Sequence, residues 1–302
     1  MTRKPRVLLL GVDFDLNIVH FVGRYRSVGL PFCVLNLREI VANGGWEITL
    51  PDGTGALWTA TASVDVSEVR AVFWRPIDLA AYESDAGRAT RWRDLMRALT
   101  AWLGDASRVP LVINRASAHR HNKAKGLHEA CLQSFGLRVP DAVTSADPAT
   151  LRDFAKSGRT VLKAYNGKPA RAREVSFDEV ATYDGSTGPL HLQRLIEGQE
   201  IRAHVVGEKT FTLKIDSPDL DYRRRGLFAT ESRPVILPED LAVQLQKATR
   251  LQGLVFAGWD LKLDSEGRYW CLECNPMPAF AAFDRRHDGA IAEELIRCLA
   301  EA

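Results

Sequence analysis

Strong charge of either sign is missing from this chain: over 302 residues, lysine and arginine exceed aspartate and glutamate by only two. A dedicated nucleic-acid binder would show its basic face in that balance, so nucleic acid is not an expected partner. Long apolar runs are missing too. None approaches the length of a membrane span, and the first residues lead toward a strand rather than a signal peptide, so no membrane association is expected and the cytoplasm is the expected compartment. Cysteine is scarce: Cys33, Cys131, Cys271, Cys274 and Cys298 are odd in number and lie mostly in apolar runs, as reduced buried thiols do. Cys271 and Cys274 form a Cys-x-x-Cys, but no second Cys or His pair accompanies them. Strand alternation also puts the two thiols on opposite faces, which argues against zinc or redox work. One glycine only occupies the first strand-to-helix turn, so there is no dinucleotide fingerprint. Internal repeats and low-complexity segments are absent.

What is present is an ordinary globular composition, 46% apolar and 26% charged, long enough for two or three lobes. Val7 to Leu10 reads as a buried parallel strand, Leu16 to Val28 as a helix, and Phe32 to Leu35 as the next strand. Trp46 to Leu50 and Ala56 to Thr61 read as a surface hairpin around Pro51-Asp52-Gly53. Strand Ala71 to Trp74 ends at Arg75, where ligands of α/β sheets sit. A helix from about Asp85 to Leu103 and a strand from Leu111 to Asn114 complete an α/β lobe. Lys123 then opens a helix and could face a nucleotide phosphate or simply solvent. Asp147-Pro148 caps a helix closed by Gly158. On the apolar strand Thr160 to Tyr165, Lys163 should face a cleft and an anion, because an unpaired buried ammonium is costly. Asn166 to Ala170 could form a loop over phosphates. His191 to Val206 reads as strand, turn, strand, with Glu200 and Arg202 on one face, and Lys214 falls on the strand after it. Roughly nineteen residues from Asp216 to Pro234, including Asp221-Tyr222-Arg223, read as a long polar loop, lid-like or merely solvated. A helix with Leu241, Leu245, Ala248 and Leu251 precedes the last hairpin, and Ile291, Leu295, Ile296 and Leu299 pattern a C-terminal helix.

That hairpin, Gly258 to Pro276, turns at Asp264-Ser265-Glu266-Gly267. Alternation points Glu273 and Asn275 the same way and brings Asp260 alongside them. Two carboxylates and an amide oxygen on one spot suit a hard divalent cation shared with substrate phosphates. Flanking Trp259, Trp270 and Leu272 imply burial, and buried carboxylates need cations.

With Pro276-Met277-Pro278 after it, this spacing resembles the metal-binding end of the ATP-grasp ligases. The similarity runs from about Asn114 to Asp284 and keeps the family's order of lysine-helix, lysine-strand, hinge, Glu, Arg, then Asp, Glu and Asn. It implies an α/β chain with α+β ATP-binding lobes: a small Rossmann-like pre-ATP-grasp domain over 1–115, a middle lobe over 116–190 and a C-terminal lobe with the metal site over 191–302. It also implies ATP and magnesium as cofactors, two ions in number, with manganese as the substitute. By resemblance, Lys123 and Lys163 hold phosphates, Gln193 lies beside the adenine amine, and Leu195 and Ile196 offer backbone contacts. Glu200 takes the ribose hydroxyls, Asp260, Glu273 and Asn275 bind metal, and Arg202, Arg223 and Lys214 serve catalysis. Some relatives carry an arginine two residues before the first metal Asp; here that position is Gly258, so the guanidinium must come from elsewhere.

Within the family, Gln193 to Arg202, Asp221-Tyr222-Arg223, Trp74-Arg75-Pro76, and Asn122-Lys123 with Gly136-Leu137-Arg138-Val139-Pro140 resemble the graspetide (microviridin-type) peptide maturases. These join a carboxylate to an amine or hydroxyl through an acyl phosphate and release ADP and phosphate. About thirty residues separate Lys163 from Gln193, short for a branch that docks a leader peptide there. A ligase of free amino acids or small carboxylates, similar to the ribosomal-protein glutamate ligases, is therefore the alternative, and a non-catalytic ATP-binding regulator is the alternative from another class. The expected partners are a peptide or small carboxylate and its acceptor, with a homo-oligomer left open.

Overall fold

Val7-Leu8-Leu9-Leu10-Gly11 is apolar without a break and forms β1, buried along its whole length. The structure is a computed structural model that describes residues 7–50, 52–118, 124–165, 168–217 and 231–302. Its chain divides into two units, Met1–Ala118 with Gln252–Phe256 and Ala279–Ala302, and His119–Leu251 with Ala257–Pro278.

In the first unit, α1 (Leu16–Val28) starts where Asp15 accepts from Asn17 N at 2.9 Å, and stops at Gly29, whose φ of 72° only glycine adopts freely. Then come β2 (Cys33–Asn36), α2 (Leu37–Asn43), the antiparallel β3 (Gly45–Thr49), β4 (Thr54–Trp58) and β5 (Ser63–Asp65), then β6 (Ala71–Trp74), α3 (Ala86–Gly104) and β7 (Leu111–Ile113). The parallel sheet runs β2-β1-β6-β7. Trp92, Leu95, Leu99 and Trp102 of α3 pack with Leu8, Leu10, Val72 and Trp74 in one core cluster. The short α2 and β5 go beyond the sequence expectation, since seven- and three-residue elements carry too few turns to show a period. At the carboxyl ends of β1 and β6, Arg75 Nε donates to Asp15, both buried, so the arginine that the sequence offered for substrate is charge-matched by the cap of α1.

The second unit opens with α4 (Lys125–Ser134), β8 (Ala142–Ser145), α5 (Pro148–Lys156), β9 (Thr160–Tyr165), β10 (Lys168–Val175), α6 (Phe177–Ala181) and β11 (Leu190–Arg194). Its antiparallel sheet runs β10-β9-β11-β8, and Leu162, Leu190 and Leu192 pack on Leu151, Ala155 and Val180 of α5 and α6. As expected, Asp147 caps α5 by accepting from Ala149 N and Thr150 N. The loop expected over 166–170 is corrected: Lys168 onward is strand β10 paired with β9, while Asn166 and Gly167 lie outside the described residues.

β12 (Gln199–Val206), β13 (Lys209–Asp216), β14 (Glu231–Pro234), α7 (Glu239–Leu251), β15 (Phe256–Leu263) and β16 (Tyr269–Asn275) follow. Their sheet order is β14-β13-β12-β15-β16. The end of the expected polar loop is thus an edge strand, with Lys214 opposite Arg233. α7 covers one sheet face: Thr249 Oγ1 accepts from Trp259 Nε1 at 3.1 Å, and Gln246 Nε2 donates to Thr210 Oγ1 at 3.2 Å.

The chain ends in α8 (Ala281–Arg286) and α9 (Ala290–Ala300), separated by Asp288 and Gly289 at positive φ. Both belong to the first unit. Asn114 ties in the other returning segment, accepting from Val255 N and Phe256 N and donating to Phe256 O. Asp284, fully buried, accepts from His20 Nε2 at 2.6 Å and from Ala292 N at 2.9 Å. Asp284→Ala leaves the buried Ala292 N–H and the part-buried His20 imidazole without this acceptor and is expected to cost about 3 kcal/mol. Urea unfolding of the variant against the wild type checks it; a change below about 1 kcal/mol would show that the donors find water.

Among the described residues no helix is long and apolar enough to cross a membrane.

Candidate active site

The turn Asp264–Gly267 closes as its residues require: Gly267 takes φ 79°, and Asp264 Oδ1 accepts from Glu266 N and Arg268 N. From it β15 and β16 pair with Gly258 opposite Asn275 and Asp260 opposite Glu273. Directly opposed residues share a face, so the two carboxylates and the Asn275 amide stand together on the side of the sheet away from α7.

Three cations meet them. Arg202 Nη1 of β12 donates to Asp260 Oδ1 at 2.7 Å, with both side chains under a tenth exposed. Lys125 Nζ, at the first turn of α4, reaches Glu273 Oε1 at 2.5 Å. Lys163 Nζ of β9 donates to Leu272 O at 3.2 Å. Burial works against the Glu273 charge, but the Lys125 ammonium outweighs it and holds the carboxyl below its usual range. Burial pulls the Lys163 ammonium below its ordinary value, opposed by the charges of Glu129 and Glu273. Arg202 fills the space beside Gly258: a Cβ added there would overlap Arg202 Nη2 and Pro278 Cβ.

The pairing slips between Asp260 and Leu261, which faces Cys271, so Leu272 is an extra residue in β16. That bulge overturns the parity expected for the cysteines. Cys274 opposes Trp259 and Cys271 opposes Leu261, so the thiols share one face instead of standing on two. Both are free and buried, and burial pushes the Cys271 thiol well up.

β16 is also a sheet edge, and its outward amides are taken up: Cys271 N by Arg138 O at 2.7 Å, Cys274 N by His128 Nε2 at 3.0 Å. Only a neutral imidazole can accept, and burial drives His128 down to about 4. Between that value and about 6.5 the unfolded chain binds a proton that the folded one does not. Stability is therefore fully present above about pH 6.5 and falls as pH drops toward 4, by a few kcal/mol in all. His128→Gln, which keeps an acceptor, is expected to flatten this slope in thermal melts from pH 7 to 4.5; an unchanged slope would assign it to other groups.

The hinge residues span the end of β11, the connection after it and the start of β12. Gln193 is buried and donates from Nε2 to Glu129 Oε1 at 2.6 Å. Leu195 N is occupied by Arg159 O at 3.0 Å, so this residue can meet a ligand only through its carbonyl. Ile196 follows it in the turn. Glu200 Oε1 pairs with Lys262 Nζ at 2.9 Å, and both are buried. Glu200 and Arg202 share their face with Ile215 and Leu213, whereas Lys214 opposes Ile201 on the other face, near Asp216 at 3.7 Å. The structure thus gathers Lys163, Arg202, Asp260, Glu273 and Asn275 but not Lys214. Lys123 and Arg223 lie outside the described residues.

Lys125, His128, Glu129 and Lys262 escaped the sequence reading. Three of them left a signal: Lys125 and Glu129 are four apart on a helix face, and Lys262 alternates with Asp260.

Among the described residues no three His, Cys, Asp or Glu side chains gather as a metal cage. The candidate set is instead two carboxylates and the Asn275 amide, whose Oδ1 also accepts from Met277 N at 2.8 Å. All three are hard oxygen donors on one face, and Glu273 is held charged, which fits magnesium.

No family model matches the sequence. Among solved structures, a RiPP-associated ATP-grasp ligase of Chryseobacterium gregarium, in complex with ADP and a leader and core peptide, aligns with a TM-score of 0.84. It is 18% identical, over 98% of this chain and 97% of that one. The macrocyclase MdnC of Microcystis aeruginosa MRC, bound with precursor peptide MdnA, aligns at 0.80, with 20% identity over 98% and 99%. The ATP-grasp ligase PsnB, complexed with a phosphomimetic variant of its minimal precursor, Mg and ADP, aligns at 0.80, with 21% identity over 99% and 98%. The chain is similar to all three along nearly its whole length, and its fold is that of the ATP-grasp ligases.

Proposed function

We propose that this chain, with the ATP-grasp fold as its scaffold, is an ATP-dependent ligase that joins a carboxylate of a peptide to an amine or hydroxyl through an acyl phosphate. The observation that carries the proposal is the pair of opposed carboxylates, Asp260 and Glu273, met by Arg202 and Lys125 with Lys163 beside them. A site that must hold a triphosphate needs cations in excess of its own carboxylates, and a phosphoryl donor needs its charge neutralised during transfer.

In this reading Lys163, Lys125 and Lys123 bind the phosphates. Asp260, Glu273 and Asn275 would hold magnesium, which when bound neutralises charge on the phosphate oxygens. Gln193, the Leu195 carbonyl and Ile196 receive the base, and Glu200, oriented by Lys262, accepts from the ribose hydroxyls. Arg202, fixed by Asp260, stabilises the acyl phosphate and the oxyanion formed when the acceptor attacks, joined by Arg223. Lys214, on the opposite sheet face, has no part in this assignment. In the same reading the middle lobe spans 116–190 and the C-terminal lobe 191–302, although 252–256 and 279–302 group with the first unit, and the reaction is assigned to the cytoplasm. A peptide is preferred over a free amino acid because two of the three similar ligases were captured with a peptide and the third with a precursor variant, and all align end to end.

The test is ADP release with ATP and magnesium, comparing free amino acids with short peptides rich in Asp, Glu, Ser, Thr and Lys. Stimulation by peptides alone, with loss of one water from the peptide mass, is the expected result. Stimulation by free amino acids alone overturns the peptide substrate; no stimulation, with nucleotide still bound, favours a regulator.

A further inference from the structure

On the sheet face opposite α5 and α6, α4 lays Glu129 against β11. Its Oε1 accepts from Gln193 Nε2 at 2.6 Å and contacts His191 Nε2 at 3.0 Å, while His191 Nδ1 lies 2.7 Å from Thr144 Oγ1. Gln193, His191 and Glu129 are 1%, 3% and 8% exposed, so water does not substitute for these bonds. The directions are set by chemistry. An ionised carboxylate only accepts, so His191 donates from Nε2 and accepts at Nδ1 from the Thr144 hydroxyl, or donates from both nitrogens if charged. Either way the amide of Gln193 must turn its NH2 toward Glu129. Its oxygen is then the end left for a ligand, whereas an amide with no such neighbour could present either end.

We propose that Glu129 is a positioning residue that, through Gln193, makes this site select a base with an amino donor at the 6-position over one with a 6-carbonyl. The inference rests on the reading above that the base lies at Gln193. A 6-carbonyl would oppose the Gln193 oxygen, leaving two acceptors face to face in a dry site, and a site built for a donor rejects its absence strongly. His191, itself in contact with Thr144 of β8, meets the same Glu129 oxygen as Gln193, so the orientation of one amide is tied to β8, β11 and α4 together.

The experiment is calorimetric binding of ATP and ITP, which differ at the 6-position, to wild type, Glu129→Met and Glu129→Gln, each checked for folding by thermal melting. Wild type is expected to prefer ATP about 10- to 100-fold. Glu129→Met frees the Gln193 amide to turn, so the ratio should fall to within about threefold, and Glu129→Gln, whose oxygen can accept both N–H groups, should restore it. A purely structural Glu129 would weaken both nucleotides equally and keep the ratio, which overturns the proposal. A wild type that binds both nucleotides equally also overturns it, without recourse to any variant. A wild type that binds neither instead removes the nucleotide reading on which it rests.

Discussion

Glu273→Gln is expected to lower turnover about 10³-fold, about 4 kcal/mol of barrier, while nucleotide binding stays measurable. Glu273 is opposed to Asp260 on the sheet face away from α7 and is held charged by Lys125, so the substitution removes the charge and keeps the shape. A neutral amide remains an oxygen donor, but a weak one for a hard divalent cation. The folded state keeps the contact: an amide oxygen at position 273 still accepts from the Lys125 ammonium, so the loss of stability is of order 1 kcal/mol. The decisive measurement is ADP release beside a thermal melt. Retention of more than a tenth of wild-type turnover would remove Glu273 from the site, and a large drop in melting temperature would show that the loss is structural.

Gly258→Ala is the second large effect. The backbone there needs no positive φ, so alanine brings no intrinsic strain; its cost is the space that Arg202 fills. The added methyl group would push the guanidinium off Asp260 and break a buried ion pair. Breaking such a pair costs about 3 kcal/mol of stability, and misplacing one charge-stabilising group costs about 10²-fold in turnover. ATP affinity should change far less than kcat, because Arg202 is assigned to the acyl phosphate rather than to the nucleotide. Equal losses in both would move Arg202 to nucleotide binding, and wild-type kinetics would show that the guanidinium need not occupy the place of the missing side chain.

Local rules carried the sequence reading far. The cap at Asp147, the Asp264–Gly267 turn and the alternation that aligns Glu273 with Asn275 span a few residues each, and backbone geometry over so short a span is a property of the residues themselves. The same rule failed one turn of the strand away: a bulge at Leu272 shifts the count by one, moves Cys271 to the face of Cys274 and exposes the carbonyl that Lys163 takes. No composition cue marks that residue, because a bulge is decided by what the strand edge pairs with, here Arg138 O and His128.

The ladder between β12 and β13 separates Lys214 from Arg202, and that separation depends on register, which neither strand states alone. The composition and the order of the charged residues along the chain were thus legible from the sequence by itself, because each is local or additive, and the fold class followed from the resemblance that this order carries. Which cation meets which carboxylate was not: Lys125 and Glu273 are 148 residues apart, and Arg202 and Asp260 are 58 apart. Only the sheet order and the placement of α4 bring them within bonding distance, and the empty position at Gly258 acquires its meaning only when the arginine of a neighbouring strand fills it.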